Sequence, residues 1–374
     1  MRIGIDCRIF SSRFTGIGRY TYELVQHFIA LNDELNRKHE IVLFFNEPEY
    51  KEFHPPNLAV KKILVNAPHY SLKEQTTFLH KLKKEKLDIV HFPHFNVPLF
   101  YRKPYIVTIH DLTLSFFPGR KMTKWYHRLA YNLTIKNAVR TAKKIIAVSE
   151  NTKRDIIENL NIAPQKIHTI YNGLSEIFRI KEPAKTAHTL KKYHIKSPFL
   201  LYTGVHRDHK NLPRLIEALH ILLTEKKLDL HLVMTGKSDP HYPEVQNTIE
   251  KFQLEDRVIF TNLVEEDELV DLYNAAATYV FPSLYEGFGF PPLESMRCGT
   301  PVAAASSSSI PEICGDENAV YFDPYSAKEI ADKIEILFKS PQLQAELIEK
   351  GIHHSAKFSW EKSARKTFDL LTHV

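Results

Sequence analysis

The chain has 374 residues, is 43% hydrophobic and 25% charged, and carries a net charge of +6. That is an ordinary soluble composition, no run approaches the roughly 18 apolar residues of a membrane span, and the length favours two domains over one because a single core rarely grows past about 250–300 residues. The start, MRIGIDCRIF, has strand-like alternation and lacks the apolar core and cleavage site of a signal peptide, so a cytoplasmic protein is expected. Cys7, Cys298 and Cys314 are odd in number and show no metal-ligand spacing, and are expected as buried free thiols.

Along the chain, short β-branched runs alternate with longer helical patterns. Strands are predicted over 2–6, 41–45, 60–65, 88–92, 105–109, 144–149 and 166–170, with helices over 17–31, 71–86 and 123–140 between several of them. The theme repeats with strands over 199–203, 230–236, 257–261, 278–283, 300–305 and 319–323. Apolar strands separated by helices imply parallel sheets covered on both faces. Two such series imply an α/β protein of two doubly wound domains. The seam is predicted near 173–197, where Asn172-Gly173 precedes the Lys-rich EPAKTAHTLKKYHIKS, giving domains over 1–175 and 176–359. The tail from Trp360 reads as one amphipathic helix.

Ligands of open parallel sheets bind beyond the carboxyl ends of the strands, so the loops there are the places to look. After the first strand, Gly16-Ile17-Gly18 resembles a phosphate-binding turn but lacks the third glycine of the dinucleotide fingerprint, since position 21 is Thr. A nicotinamide cofactor is thereby disfavoured. His91 and His94 lie at the end of one strand. His110-Asp111 follows the next, placed to orient a hydroxyl or stabilise charge, and Ser149 and Asn151 follow the one after. From Leu112 to Ser149 there is no acidic residue, while Arg120, Lys121, Lys124, Arg128, Lys136, Arg140, Lys143 and Lys144 lie there with Trp125 and Tyr126. Such a face suits an anionic membrane surface ahead of nucleic acid, or is a solvated helix that happens to be basic.

In the second half, Lys210 precedes a helix in the loop after FLLYTG and can meet a diphosphate as a point charge. The richest stretch is SLYEGFGFPPLE. Gly287 and Gly289 let the backbone approach a ligand and aim N–H groups at an anion, and the prolines at 291 and 292 suit the first turn of a helix ending near Gly299. Glu294 is expected in that first turn, able to accept a pair of sugar hydroxyls, and Glu286 stands at the other end of the same cradle. No two aspartates are separated by one residue, so the Asp-X-Asp element that holds a metal against a nucleotide diphosphate is missing and no metal site is expected. Charge on a leaving diphosphate then falls to Lys210, arginines and backbone N–H groups.

Taken together, GIGRYTYEL, TIHDL, AVSENTKRDI, YNG, YTGVHRDHKNL, EGFGFPPLE, CGTPV and IPEICGDENAVYFDP cover nearly the whole length. On them the chain resembles the family 4 retaining glycosyltransferases, of GT-B fold, in which two Rossmann-like domains face each other across a cleft. It is most similar to bacterial members that build O-antigen or capsular polysaccharide, many of which use GDP-mannose. The resemblance implies that Glu294 binds the donor ribose and Glu286 the transferred sugar. Lys210, the backbone of Gly16 beside Gly18, and the backbone of Gly287, Phe288, Gly289 and Phe290 would hold the diphosphate. His110 would sit beside the sugar at the reaction centre. The helix over 360–374 would return to the first domain. One departure is Val205, where many members carry Arg; Arg207 or His209 is left to supply that charge. The implied activity is metal-independent, cofactor-free transfer of a hexose from a nucleotide-sugar donor to a saccharide or polyprenyl-linked saccharide, on the inner membrane face, with no nucleic acid partner. A sugar-nucleotide epimerase of the same architecture and a non-catalytic nucleotide-sugar binder stay open beside it.

Overall fold

The computed structural model describes residues 1–11, 16–119, 125–237 and 239–373. The chain divides into two compact units, one of Met1–Leu112, Met122–Gly173 and Ser359–Val374, the other of Thr113–Lys121 and Leu174–Phe358.

The first unit is built on β1 (Arg2–Asp6), β2 (Glu40–Phe45), β3 (Val60–Leu64), β4 (Ile89–Phe92), β5 (Tyr105–Ile109), β6 (Lys144–Ala147) and β7 (Ile167–Thr169). They form one parallel sheet in the order β3-β2-β1-β4-β5-β6-β7. β1, β4 and β5 are nearly fully buried runs, as strands covered on both faces must be. The helix Gly16–Glu34 buries Tyr20, Leu24, Val25 and Phe28 at helical spacing. The tail helix Trp360–Thr372 lies along it, with Phe368 5.4 Å from Phe28 and Trp360 6.0 Å from Tyr20 between ring centres.

The second unit holds β8 (Phe199–Thr203), β9 (His231–Thr235), β10 (Val258–Asn262), β11 (Thr278–Phe281), β12 (Val302–Ala305) and β13 (Val320–Phe322). This sheet is also parallel, in the order β10-β9-β8-β11-β12-β13. Both sheets therefore reverse their winding direction once, between β1 and β4 in the first and between β8 and β11 in the second. Helices leaving two adjacent strands at such a point run to opposite faces, which opens a crevice at the carboxyl ends.

Each of the thirteen predicted strands is present, with ends that differ from the predicted ones by at most two residues. The helix expected over 71–86 opens as a π-helical turn, Glu74–Phe78, before continuing as Leu79–Lys84. Cys7, Cys298 and Cys314 are buried free thiols, as expected.

Candidate functional site

In the second unit the loops after β8 and β11 meet at the winding reversal. Leu284 N–H donates to the His209 carbonyl at 2.7 Å, tying the two loops together. Lys210 and Glu286, one from each loop, form an ion pair with Nζ 2.5 Å from Oε1, both largely buried. Lys210 Nζ also lies 5.7 Å from the centre of the Phe281 ring. Two opposite charges at the mouth of a switch-point crevice are unusual as a structural device alone, since the ordering and desolvation of such a pair offset most of its Coulomb gain.

Gly289 caps the next helix at φ 100°, a left-handed conformation that a side chain would strain, and the helix runs Phe290–Arg297. It starts one residue before Pro291, so Glu294 is its fifth residue and not part of its first turn. The helix dipole therefore does less for Glu294 than its position in sequence implies. What orients it is Tyr273, whose hydroxyl donates to Glu294 Oε2 at 2.8 Å. The Tyr273 oxygen is in turn 3.0 Å from Thr203 Oγ1, and Thr203 Oγ1 is 3.0 Å from the Tyr279 hydroxyl. Burial, reinforced by the Glu294 charge, raises the Tyr273 pKa, and burial raises that of Tyr279, so both phenols are protonated. With Glu294 only accepting, the donors line up from Tyr279 to Thr203 to Tyr273 to Glu294.

The tract Ser306–Ser309 braces the same loop. Ser308 Oγ accepts from Glu286 N–H at 2.9 Å, Ser309 Oγ donates to the carbonyls of Glu286 (2.9 Å) and Phe288 (3.1 Å), and Ser307 Oγ donates to the Ser283 carbonyl at 2.7 Å. Hydroxyls thus hold the backbone around Gly287, a task regular structure does elsewhere. A second group that sequence reasoning missed is aromatic. Phe116 lies 5.0 Å from Tyr285, and Phe117 lies 6.1 Å from His209 and 6.3 Å from Tyr285, beside Glu286 and Lys210. Between the two candidates for the charge absent at Val205, Arg207 is exposed and His209 is buried, so Arg207 is the accessible cation.

In the first unit, His110 Nε2 is 2.8 Å from the Pro93 carbonyl. A carbonyl only accepts, so Nε2 carries the proton. Burial lowers the pKa against the opposing pull of that carbonyl and Asp111, so the ring is neutral with its lone pair on Nδ1. Tyr20 packs edge-on against it at 4.7 Å. His91 is a core residue bonded to Thr108 Oγ1 at 2.9 Å, and His94 packs on Phe95. Ser149 caps the helix Glu150–Leu160, accepting from Thr152 N–H at 3.0 Å, and Asn151 donates to Asp155, so both have structural tasks.

Gly16 and Gly18 were expected at a phosphate-binding turn that opens the helix predicted over 17–31. Both occupy the first turn of that helix, which spans Gly16–Glu34, with Gly16 exposed and Gly18 buried; the preceding 12–15 lie outside the described residues. Of the basic stretch, Arg120, Lys121 and Lys124 also lie outside the described residues, while Arg128, Lys136, Arg140 and Lys143 are exposed. A buried cluster after β1 went unread altogether. Arg8 makes a two-pronged contact to Asp6 (2.9 and 2.8 Å) and reaches Glu74 at 3.1 Å and the carbonyls of Ala67 and Asn96 at 3.2 and 3.0 Å. All five guanidinium N–H groups are thereby used.

Residues 14–176 match the family described as Glycosyltransferase Family 4, and residues 188–354 match Glycosyl transferases group 1. The chain is a family 4 glycosyltransferase. Its two parallel sheets are those of the GT-B fold. This glycosyltransferase is 28% identical over 372 residues to the O-antigen chain mannosyltransferase B of Escherichia coli, covering 95% of both chains. It is 32% identical over 237 residues to the serotype-specific mannosyltransferase WbdA of Escherichia coli, spanning 62% of this chain but only 29% of that longer protein. Among solved structures, Anabaena Alr3699/HepE in complex with UDP and glucose superposes with a TM-score of 0.77 at 18% identity, covering 100% of both chains. Among the described residues no helix is long and apolar enough to cross a membrane.

Proposed function

We propose that this glycosyltransferase moves mannose from GDP-mannose to a saccharide or polyprenyl-linked saccharide, with retention of configuration and without a metal, at the cytoplasmic face of the inner membrane. The observation that carries the reading is the Lys210–Glu286 pair at the winding reversal. The donor diphosphate takes the place of Glu286 on the Lys210 ammonium, aided by Arg207 and the N–H groups of Gly287–Phe290. Glu286, released, accepts a hydroxyl of the mannose. Glu294, held by Tyr273, takes the ribose hydroxyls. The bond from the anomeric carbon to the diphosphate oxygen breaks, the acceptor oxygen bonds the same carbon on the same face, and the acceptor proton passes to the departing diphosphate. His110 is assigned beside the sugar as a neutral ring. Mannose is favoured because both Escherichia coli relatives are mannosyltransferases by name.

Ligands that bind only the folded state raise its melting temperature. Of GDP, UDP and ADP, GDP is expected to give the largest rise, and GDP-mannose a further one. Stabilisation by UDP alone would refute the donor assignment. Transfer is expected to persist in excess EDTA; its loss, restored by Mg²⁺ or Mn²⁺, would refute the metal-free step. The anomeric coupling of the product, read by NMR, reports retention or inversion directly.

A further inference from the structure

Arg8, just beyond β1, joins two loops that lie well apart in sequence. Its guanidinium donates to the Ala67 carbonyl in the loop after β3 at 3.2 Å and to the Asn96 carbonyl in the loop after β4 at 3.0 Å. The π-helical turn repeats the link. Glu74 Oε2 accepts from Arg8 at 3.1 Å and from Tyr70 N–H at 3.2 Å, and Gln75 Oε1 accepts from Leu99 N–H at 2.8 Å. Each clamped carbonyl lies two residues from a histidine, and His69 and His94 are thereby brought edge to face with ring centres 6.1 Å apart. The three loops leave the carboxyl ends of β1, β3 and β4 beside the winding reversal, where sheets of this kind bind ligands. Tyr70, next to His69, is exposed and keeps φ at +58°, a conformation costly for a bulky side chain, which Glu74 holds through the N–H. Asn96 is 1% exposed, yet neither of its amide atoms has a protein partner with good hydrogen-bond geometry, although the Tyr70 phenol and the His94 ring lie beside it. Leaving a buried polar group so costs about 1–3 kcal/mol, which a ligand hydroxyl can recover.

We propose that Arg8 is a positioning residue for the acceptor: by fixing these loops it sets His69, His94 and Tyr70 as a seat for an uncharged sugar ring, so that the acceptor is gripped by its terminal saccharide and not by a diphosphate. The inference deepens the transferase reading and rests on it for the seat's purpose, though not for its geometry. Charge selects the ligand. Every guanidinium N–H of Arg8 is taken and Asp6 and Glu74 balance its charge, so the cation of this cluster has nothing left to give a phosphate. Both imidazoles are neutral. Burial, with Arg8 beside it, pushes His69 down to about 4 against the pull of Asp6, and burial, with His69 and His110 facing it, pushes His94 well down. The Asn96 N–H donates to His94 Nδ1 at 3.4 Å, so Nε2 carries the proton. A neutral imidazole offers one donor and one acceptor, which is what a sugar hydroxyl also offers. The exposed Tyr70 ring supplies an apolar surface for the C–H face of the sugar. Lysine could not do the work of Arg8, because a single ammonium nitrogen cannot span two carbonyls and two carboxylates as the guanidinium fork does.

The test uses the full chain, without donor, and saturation-transfer NMR. The neutral probes are methyl α-mannoside, methyl α-glucoside and methyl α-N-acetylglucosaminide, and the charged probe is geranyl diphosphate. At least one glycoside is expected to receive saturation from the wild type and equally from Lys210→Ala, which separates this seat from the diphosphate site of the second unit. His69→Ala and His94→Ala are each expected to weaken that glycoside roughly tenfold, and Arg8→Lys likewise, with nucleotide affinity unchanged. In transfer assays these variants should raise the KM for the acceptor and leave the KM for the donor as it is, a split that general loosening of the fold would not give. Should Arg8→Lys fail to fold, the two histidine variants decide the matter. Glycoside binding that the variants lose, with no transfer by the wild type, overturns only the functional reading. Transfer with a wild-type acceptor KM in His69→Ala and His94→Ala overturns only the seat. Saturation of none of the glycosides, unaltered glycoside binding in the histidine variants, or geranyl diphosphate binding that depends on His94 more than glycoside binding does, would each overturn the proposal.

Discussion

Replacing Tyr273 with Phe tests whether Glu294 is held by the hydroxyl chain described above. Phe keeps the ring, which packs 5.9 Å from Phe178 and 5.5 Å from Tyr279, so the change isolates one oxygen. That oxygen donates to a carboxylate at 2.8 Å, and net bonds to charged groups contribute about 1.5–3 kcal/mol. For a unit of this size each kcal/mol shifts the melting temperature by roughly 2–4 °C. Tyr273→Phe should therefore lower it by about 3–12 °C, and should weaken nucleotide binding roughly tenfold as Glu294 turns away. Tyr279→Phe removes only the outermost donor, a neutral bond 3.0 Å from Thr203 worth about 0.5–1.5 kcal/mol, and should leave nucleotide affinity nearly unchanged. Differential scanning calorimetry and titration with GDP measure both quantities. An equal or reversed order of the two variants, or unaltered nucleotide affinity in Tyr273→Phe, would refute the idea that the chain of donors orients Glu294.

Three further outcomes are expected. Lys210→Ala and Glu294→Ala should each cut transfer roughly hundredfold or more with an unchanged circular dichroism spectrum, checked by a radiolabelled transfer assay. Gly236→Ala should cost about 3 kcal/mol or more in urea unfolding, since Gly236 has φ +126° and an added Cβ would lie 2.2 Å from the Gly204 carbonyl oxygen. His91 is buried, and burial pushes its pKa down to about 3 from the usual 6.5. A histidine kept neutral by the fold supplies stability that is complete above about pH 6.5 and is lost as pH falls toward 3, at about 1.4 kcal/mol per pH unit. His91→Gln should flatten that acid limb in equilibrium unfolding, and an identical slope would contradict the assignment.

What could be read in advance followed from periodicity and punctuation. β8 and β11 are apolar runs bounded by Gly204 and Pro282, and the loops beyond them are where Lys210 and Glu286 were sought and where they pair. The remainder depends on contacts that no local pattern encodes. Ser306–Ser309 looks like a low-complexity tract, yet its hydroxyls serve a loop some 20 residues earlier. Tyr273 sits inside a helix whose spacing explains it as core, and only the fold brings its hydroxyl to Glu294. Arg8 meets Glu74 across 66 residues.

The tail helix has a consequence for the order of assembly. Phe368 lies 5.4 Å from Phe28 and Trp360 6.0 Å from Tyr20, so the core of the first unit includes side chains made more than 300 residues after those they touch. On the ribosome the second unit has its whole sheet, β8 to β13, before the first unit has its last helix. The unit that begins first is thus finished last, and until then a newly made chain presents the groove along Gly16–Glu34 to whatever chaperones attend it.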